Sequence, residues 1–345
     1  MSEEINEIDS DEEELFEHFR FVADPGQEMI RIDKFLIDRM PKTSRNKIQI
    51  AAKAGSVHVN KQSVKQNYKV KPGDEVAIVL PYPVRELELI PQNIPIDIVY
   101  EDDTLIVVNK PANMVVHPGY GNYKGTLVNA LIYHFDNLPE RKQDYFGRPG
   151  LVHRIDKNTT GLLVIAKTEE ALTSLARQFY ERTTERRYYA LVWGDVEEDG
   201  TVTGNLARAL KNRKVMDVFP EGDYGKHAVT HYKVIQRFGL VTLIECKLET
   251  GRTHQIRIHM KYIGHPLFND NEYGGDRIVK GTTSTNYKRF IENCFDKIEG
   301  QALHAKTLGF VHPETNKKMQ FESELPIGFQ ELLQKWESYT SNSQI

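Results

Sequence analysis

Apolar and polar positions repeat with different periods along this chain, and the changes of period mark out its parts. Ile32, Phe35, Leu36 and Met40 recur at helical spacing and stop at Pro41. A second helix, capped by Thr43 or Ser44, carries Arg45, Lys47, Ile48, Ala51, Ala52 and Lys53 and closes at Gly55. Short β runs follow at Val57–Val59 and Glu75–Leu80, punctuated by Asn60-Lys61 and Pro72-Gly73-Asp74. Pro81, Pro83, Pro91 and Pro95 then interrupt the pattern as a stiff linker would. Further on, Ile98–Tyr100, Leu105–Asn109, Leu162–Lys167, Tyr188–Trp193 and Val241–Leu248 read as strands. Thr168, with Glu169 and Glu170, starts an amphipathic helix through Ala171, Leu172, Leu175, Phe179 and Tyr180. Strands and helices mix without a regular βαβ rhythm or an internal repeat, so an α+β fold is expected. The predicted organisation is an acidic disordered tail over 1–28, a compact module over 29–80, a linker over 81–92, a larger domain over 93–335 and a tail over 336–345.

Composition narrows the class. No run approaches the roughly 18 apolar residues that would span a bilayer, and the N-terminus is acidic rather than signal-like. Cys246 and Cys294 are the only cysteines, which leaves no disulfide framework or thiolate metal site and suits a reducing cytoplasm. The net charge of −4 conceals an asymmetry: residues 1–19 hold nine acidic side chains and no Lys or Arg. Segment 31–71 carries eleven Lys and Arg against Asp33 and Asp38. Such a concentration of positive charge favours a polyanion, because neutralised phosphates release counterions. The same asymmetry raises an autoinhibition hypothesis, in which residues 1–27 compete with RNA for the basic face.

Three segments can carry chemistry. The first is His153–Gly161, leading into the apolar run Leu162–Ala166, where Asp156 sits between Arg154 and a turn-forming polar cluster. A cation beside it would keep the carboxylate ionised and fixed in direction, as a nucleophile or proton acceptor requires; the alternative is an Asp that caps a turn. The second is Arg186–Gly194. Strand alternation sends Tyr188 and Tyr189 to opposite faces, so one can meet a cleft, as a stacking surface or a phenol for proton transfer, while the other packs. The third is Thr250–Pro266, a helix of about ten residues capped by Thr253, with Ile256, Met260 and Ile263 as its apolar stripe. Arg257 lies off that stripe, a fixed cation able to pair with a carboxylate from another segment. Its His254 and His259 are five apart rather than the four that bring two imidazoles onto one face, which argues against zinc. No Walker pattern, dinucleotide fingerprint or Gly-x-Ser-x-Gly elbow occurs.

Two resemblances organise these pieces. Arg31–Leu36, Ser44-Arg45, Gly55–Asn60 and Lys71–Glu75 resemble the S-four-like RNA-binding domain, which implies RNA contacts from Arg31, Lys34, Arg45, Lys47 and Lys53. Gly150–Val164, Arg186–Gly194 and Gly251–His259 resemble, in the same order, the catalytic-Asp, tyrosine and arginine motifs of RluA-type pseudouridine synthases. Val107–Ala112, Gly264–Leu267, Gln301–Ala305 and Phe310–Pro313 add further matches, and the nearest branch is the ribosomal large-subunit one that carries such an N-terminal module. Arg186 departs from the Lys of many members, Asn205–Lys211 lacks a common segment, and the stretch between Gly275 and Gly300 is unusually polar. The resemblance implies a mixed, largely antiparallel sheet with a central cleft and no metal or organic cofactor. Its implied reaction breaks the bond from carbon 1′ to N1 of an unstacked uridine and remakes it to carbon 5. In it Asp156 acts on the sugar, as nucleophile at carbon 1′ or base at carbon 2′. Tyr188 stacks on the base and helps remove the proton from carbon 5, and Arg257 pairs with Asp156. Arg154 fills the gap left by the flipped nucleotide, and His153, Arg252 and Gln255 contact the substrate. The implied partner is ribosomal RNA or a pre-ribosomal particle, with no membrane and no obligate protein partner. The competing classes are a non-catalytic RNA-binding assembly factor and, more remotely, an RNA glycosylase.

Overall fold

The structure is a computed structural model that describes residues 16–40, 43–80, 89–119, 121–140, 148–210, 212, 215–222 and 224–343. The chain divides between residues 88 and 89 into two units, each with its own core. The first 15 residues and residues 81–88 of the expected linker lie outside the described residues.

The first unit contains β1 (Phe16–Val22), β2 (Ile30–Arg31), α1 (Ile32–Arg39), α2 (Arg45–Lys53), β3 (Val57–Val59), β4 (Gln62–Ser63), β5 (Lys69–Val70) and β6 (Glu75–Leu80). Ser44 caps α2 by accepting from the Lys47 amide. Asn60 and Lys61 both take positive φ, 50° and 67°, and turn β3 back onto β4. Ile32, Phe35, Leu36, Ile48 and Ala52 from the helices pack on Val57, Val59, Val70, Val76 and Ile78. The expected disorder of 1–28 is corrected over residues 16–22. Phe16–Val22 pairs antiparallel with the whole of β6, Phe19 and Phe21 pack against the core, and Arg20 bonds Glu75 at 2.9 Å. An open sheet edge gave these residues hydrogen-bond partners that their acidic neighbourhood conceals.

The second unit is built from β7 (Ile98–Glu101), β8 (Leu105–Lys110), α3 (Leu127–His134), β9 (Thr160–Ala166), α4 (Glu169–Glu181), β10 (Glu185–Trp193), β11 (Gly200–Arg208) and β12 (Met216–Phe219). It continues through β13 (Lys226–Arg237), β14 (Val241–Leu248), α5 (Gln255–Tyr262), α6 (Thr285–Phe295), β15 (Leu303–Val311), β16 (Lys318–Glu322) and α7 (Ile327–Ser343). One ten-stranded sheet runs β12-β11-β13-β14-β10-β15-β9-β8-β7, with β16 beside β15. Among the described residues only β9 and β15 pair in parallel, so the sheet is mixed and largely antiparallel, as expected of an α+β fold.

Alternation along β10 sends Tyr188, Ala190 and Val192 into the core shared with α3 and α5, and Leu191 and Trp193 into the core under α6 and α7. Helix α4 covers Leu105, Val107, Leu162 and Val164 from β8 and β9. Two expected boundaries move. Ile90 and Gln92, placed in the linker, bond Asn129 of α3 at 2.8 and 2.9 Å, so the unit begins at Leu89. Of the tail assigned to 336–345, residues 336–343 are instead the second half of α7, and the last two lie outside the described residues. Trp336 is fully buried against Trp193, Phe268 and Phe290, because Phe329, Leu332 and Trp336 share one helical face. The polar stretch before Gly300 includes α6, which buries Tyr287, Ile291 and Cys294.

Candidate active site

Asp156 stands in the loop that enters β9, and the loop is pinned from three sides. Ile155 packs into the core, and the Thr159 amide donates to the Asp156 carbonyl at 3.2 Å to close a turn. From below, Lys110 is buried and its Nζ donates to the carbonyls of Pro111, Met114 and Lys157 at 2.6, 2.8 and 2.9 Å. Burial lowers the Lys110 pKa while the Asp156 charge opposes that; three acceptors for three protons hold the ammonium form. From the side, Gln301 donates to Thr159 at 3.1 Å, and Thr160 bonds Nδ1 of buried His304 at 2.7 Å. Gly161 fits against β15 because it has no side chain: a Cβ there would lie 2.3 Å from the Ala305 carbonyl. The carboxylate this loop presents is 17% exposed, so a ligand can reach it.

Arg257 faces that carboxylate from the first turn of α5. Its Nη1 donates to Asp156 Oδ2 at 3.3 Å. The rest of the guanidinium is held by Asp270, with Nε and Nη2 donating at 2.7 and 2.8 Å, and by Glu272 at 2.6 Å. Burial opposes the charge, yet the Asp270 hydrogen bonds and the charges of Asp270, Asp156 and Glu272 outweigh it and raise the Arg257 pKa. The helix has eight residues, and Thr253 is not its cap. His254 takes that position with φ at 56° and no side-chain cap bond. That left-handed turn points the imidazole into the site, with Nε2 at 3.9 Å from Asp156 Oδ1 and Nδ1 at 2.8 Å from the Tyr273 hydroxyl. Burial lowers the His254 pKa despite Asp156, so the ring is neutral. Tyr273 accepts from the Met216 amide at 3.2 Å and shares a hydrogen bond with Nδ1, which holds the imidazole plane with its Nε2 edge toward Asp156.

Both groups open into a cleft of about 390 Å³, lined also by Tyr188, Arg186, Phe179 and the Thr250–Thr253 loop. That volume falls within the roughly 300–1,000 Å³ of small-ligand sites. Tyr188 turns its ring to the cleft while Tyr189 faces the opposite core, under the Lys306 ammonium. Burial raises the Tyr188 pKa, so its phenol is protonated at neutral pH; its hydroxyl bonds to none of the described residues. A fixed carboxylate, a buried cation behind it and an unbonded phenol beside an aromatic face can attack or deprotonate a sugar while a base lies on the ring.

A model of RNA pseudouridylate synthase matches residues 104–262, and one of the S4 domain matches residues 30–76. An RNA pseudouridine synthase of Chlorobaculum parvum is 43% identical over 92% of this chain and 97% of its own length. The ribosomal large subunit pseudouridine synthase D of Zymomonas mobilis is 42% identical over 88% of this chain and 93% of its own. This chain belongs to the RNA pseudouridine synthase family. Pseudouridine synthases are isomerases that act on uridine in RNA, and RNA is therefore its substrate. The solved structure of human RNA pseudouridylate synthase domain containing 4 shares the fold, with a TM-score of 0.53 at 22% identity over 70% of this chain and 93% of that one.

The remaining expected residues of this pseudouridine synthase fall into distinct settings. Arg154 is exposed at the cleft mouth and pairs with no described residue, so it is not the cation that faces Asp156. His153 stacks on Phe179 at 4.4 Å and accepts from the Val164 amide at 3.0 Å, while burial and the Arg186 charge lower its pKa to about 3. Arg252 borders the cleft and donates to the His227 carbonyl. Gln255 is fully committed: its oxygen accepts from Thr250 and Arg252, and its nitrogen donates to Val229 and Thr230. It shapes the loop rather than offering a free amide.

In the first unit, Lys34, Lys47 and Lys53 are exposed, whereas Arg31 and Arg45 grip the buried carboxylate of Asp33 at 3.0 and 3.1 Å. Burial would raise the Asp33 pKa, but hydrogen bonds from Arg31, Gln49 and Arg45 hold it well below the usual carboxylate range. Sequence reasoning missed Asp270, Glu272, His254, Tyr273 and Lys110. The one local signal was a lysine ending the apolar strand Leu105–Lys110. Among the described residues no group of three His, Cys, Asp or Glu could hold a metal, and no helix is long and apolar enough to cross a membrane.

Proposed function

We propose that this pseudouridine synthase modifies large-subunit ribosomal RNA in the cytoplasm, with Asp156 as the residue that acts on the sugar. The observation that carries the assignment is the Asp156–Arg257 pair at 3.3 Å, held in an open cleft beside Tyr188. A uridine that leaves the stack brings its ribose to Asp156 and its base to the Tyr188 ring. Asp156 either bonds carbon 1′ as the bond to N1 breaks, or takes the proton from carbon 2′. The freed base turns and carbon 5 bonds to carbon 1′ as the Asp156 oxygen leaves it or, on the second route, as carbon 2′ regains its proton; the carbon 5 proton departs and N1 gains one, so no mass is lost. Arg257 keeps the carboxylate aimed throughout, and Tyr188 relays the carbon 5 proton through a hydroxyl that has no competing partner. The ribosomal target is supported by the names of relatives such as the Zymomonas mobilis and Haemophilus influenzae proteins. Exposed Lys34, Lys47 and Lys53 on the first unit supply charge for the RNA backbone.

Pseudouridine mapping of large-subunit ribosomal RNA from cells with and without the gene tests the target, and at least one site should disappear with the gene. Purified Asp156→Asn should form no pseudouridine and bind RNA as the parent does. Normal turnover by that variant would remove Asp156 from the reaction. A non-catalytic assembly factor would leave the modification map unchanged.

A further inference from the structure

Arg186 is a buried cation with no counter-ion among the described residues. The residue is 9% exposed, its Nε is sealed from solvent without an acceptor, and neither terminal nitrogen bonds to any described residue. Phe179 lies under the guanidinium, 5.3 Å from ring centre to Cζ, and Gly251 closes the other side so tightly that an added Cβ would stand 3.0 Å from Nη1. Ring and backbone hold the group in place without answering its charge. The carboxylates of the cleft are engaged elsewhere: Asp156 with Arg257, and Glu249 with His231 at 2.6 Å. The other arginines that line it, Arg154, Arg182, Arg252 and Arg257, carry the same sign. Its field reaches the site, since after burial the Arg186 charge is the next influence on both His153 and Tyr188.

A desolvated guanidinium without an anion is costly, and such a group is retained where a ligand brings the missing charge. The planar fork of an arginine matches two oxygens of a phosphodiester, which a lysine ammonium does not. Arg186 is two residues before Tyr188 on β10 and lines the same cleft. A nucleotide entering the cleft brings a phosphate toward the Asp156 carboxylate, and a cation is needed to offset that repulsion. We infer that Arg186 is a built phosphate subsite, gripping the phosphodiester joined to the flipped uridine. This inference rests on the reading of the cleft proposed above.

The test uses the full chain and a synthetic RNA stem-loop with one unpaired uridine, prepared with a phosphodiester or an uncharged methylphosphonate on either side of that uridine. One of the two methylphosphonates should weaken wild-type binding about tenfold, the scale of a charge-assisted contact. Arg186→Gln should weaken binding of the unmodified RNA by a similar factor and be indifferent to the same methylphosphonate. Its slope of log affinity against log salt should be shallower by about 0.7, one phosphate contact on a single strand. Arg186→Lys should fall between the two. Without RNA, Arg186→Gln should melt no lower than wild type, because it removes an uncompensated charge. Equal methylphosphonate sensitivity in wild type and Arg186→Gln would overturn the assignment. So would a variant that melts lower and binds every RNA equally poorly. Pseudouridine formation is scored separately. Phosphate-dependent binding without any product would leave the subsite standing and remove the catalytic reading.

Discussion

Arg257 serves three carboxylates at once, and this decides how Asp156 behaves. Asp270 takes two of its hydrogen bonds and Glu272 a third, so the remaining Nη1 has one direction in which to point. The rigidity comes from residues that do not face the substrate, and one point charge on a flexible lysine stem could not reproduce it. Tyr188 contrasts with this, being buried, protonated and unbonded. Tyr188→Phe keeps the stacking ring and loses only the hydroxyl. Single-turnover assays should show a fall of about 10²–10⁴ in rate with RNA affinity preserved; near-wild-type turnover would leave the residue a stacking platform alone. Asp156, Tyr188 and Arg257 could be picked out in the sequence because each sits in a distinctive local context. Asp270, Glu272 and Lys110 could not, because their meaning arises only where distant loops converge; nor did the sequence reveal that the Gln255 amide nitrogen is taken up by Val229 and Thr230, more than twenty residues away.

At the level of elements, local period was enough to find those that bury one face. Val241–Leu248 and the helix capped by Thr168 appear where the pattern predicts. Strand β1 was hidden by the acidic residues before it, and the last half of α7 by the polar run that follows Trp336. Thr253 looked like a cap, yet a left-handed His254 starts the helix, a local geometry that residue type alone does not specify. Trp336 ties α7 to the strand that carries Tyr188, since its ring lies 6.3 Å from that of Trp193. Trp336→Ala should cost about 3–5 kcal/mol and lower the melting temperature by roughly 10 °C. Thermal unfolding followed by circular dichroism checks this, and an unchanged midpoint would mean that α7 contributes little to the core.

On the scale of the whole molecule, charge is segregated along the chain. Residues 1–15 carry eight of the acidic side chains, and Glu17 belongs to β1, where it pairs with Arg20. Removing residues 1–15 should tighten RNA binding at low salt, with the gain fading at high salt where charges are screened. Removing residues 1–22 should lose that gain, because it also strips β1 from β6 and bares the sheet edge. Salt titrations of the two truncations distinguish these outcomes, and unchanged affinity of the shorter one at low salt would exclude competition by the acidic segment. The sheet order has a consequence for the timing of biosynthesis. Strand β15 lies between β9 and β10, so within the sheet the strand that follows Asp156 and the strand bearing Tyr188 are bridged by residues 303–311. Both segments leave the ribosome well before their connector does. A nascent chain therefore cannot complete this sheet, or the cleft beside it, until residues 303–311 have been translated.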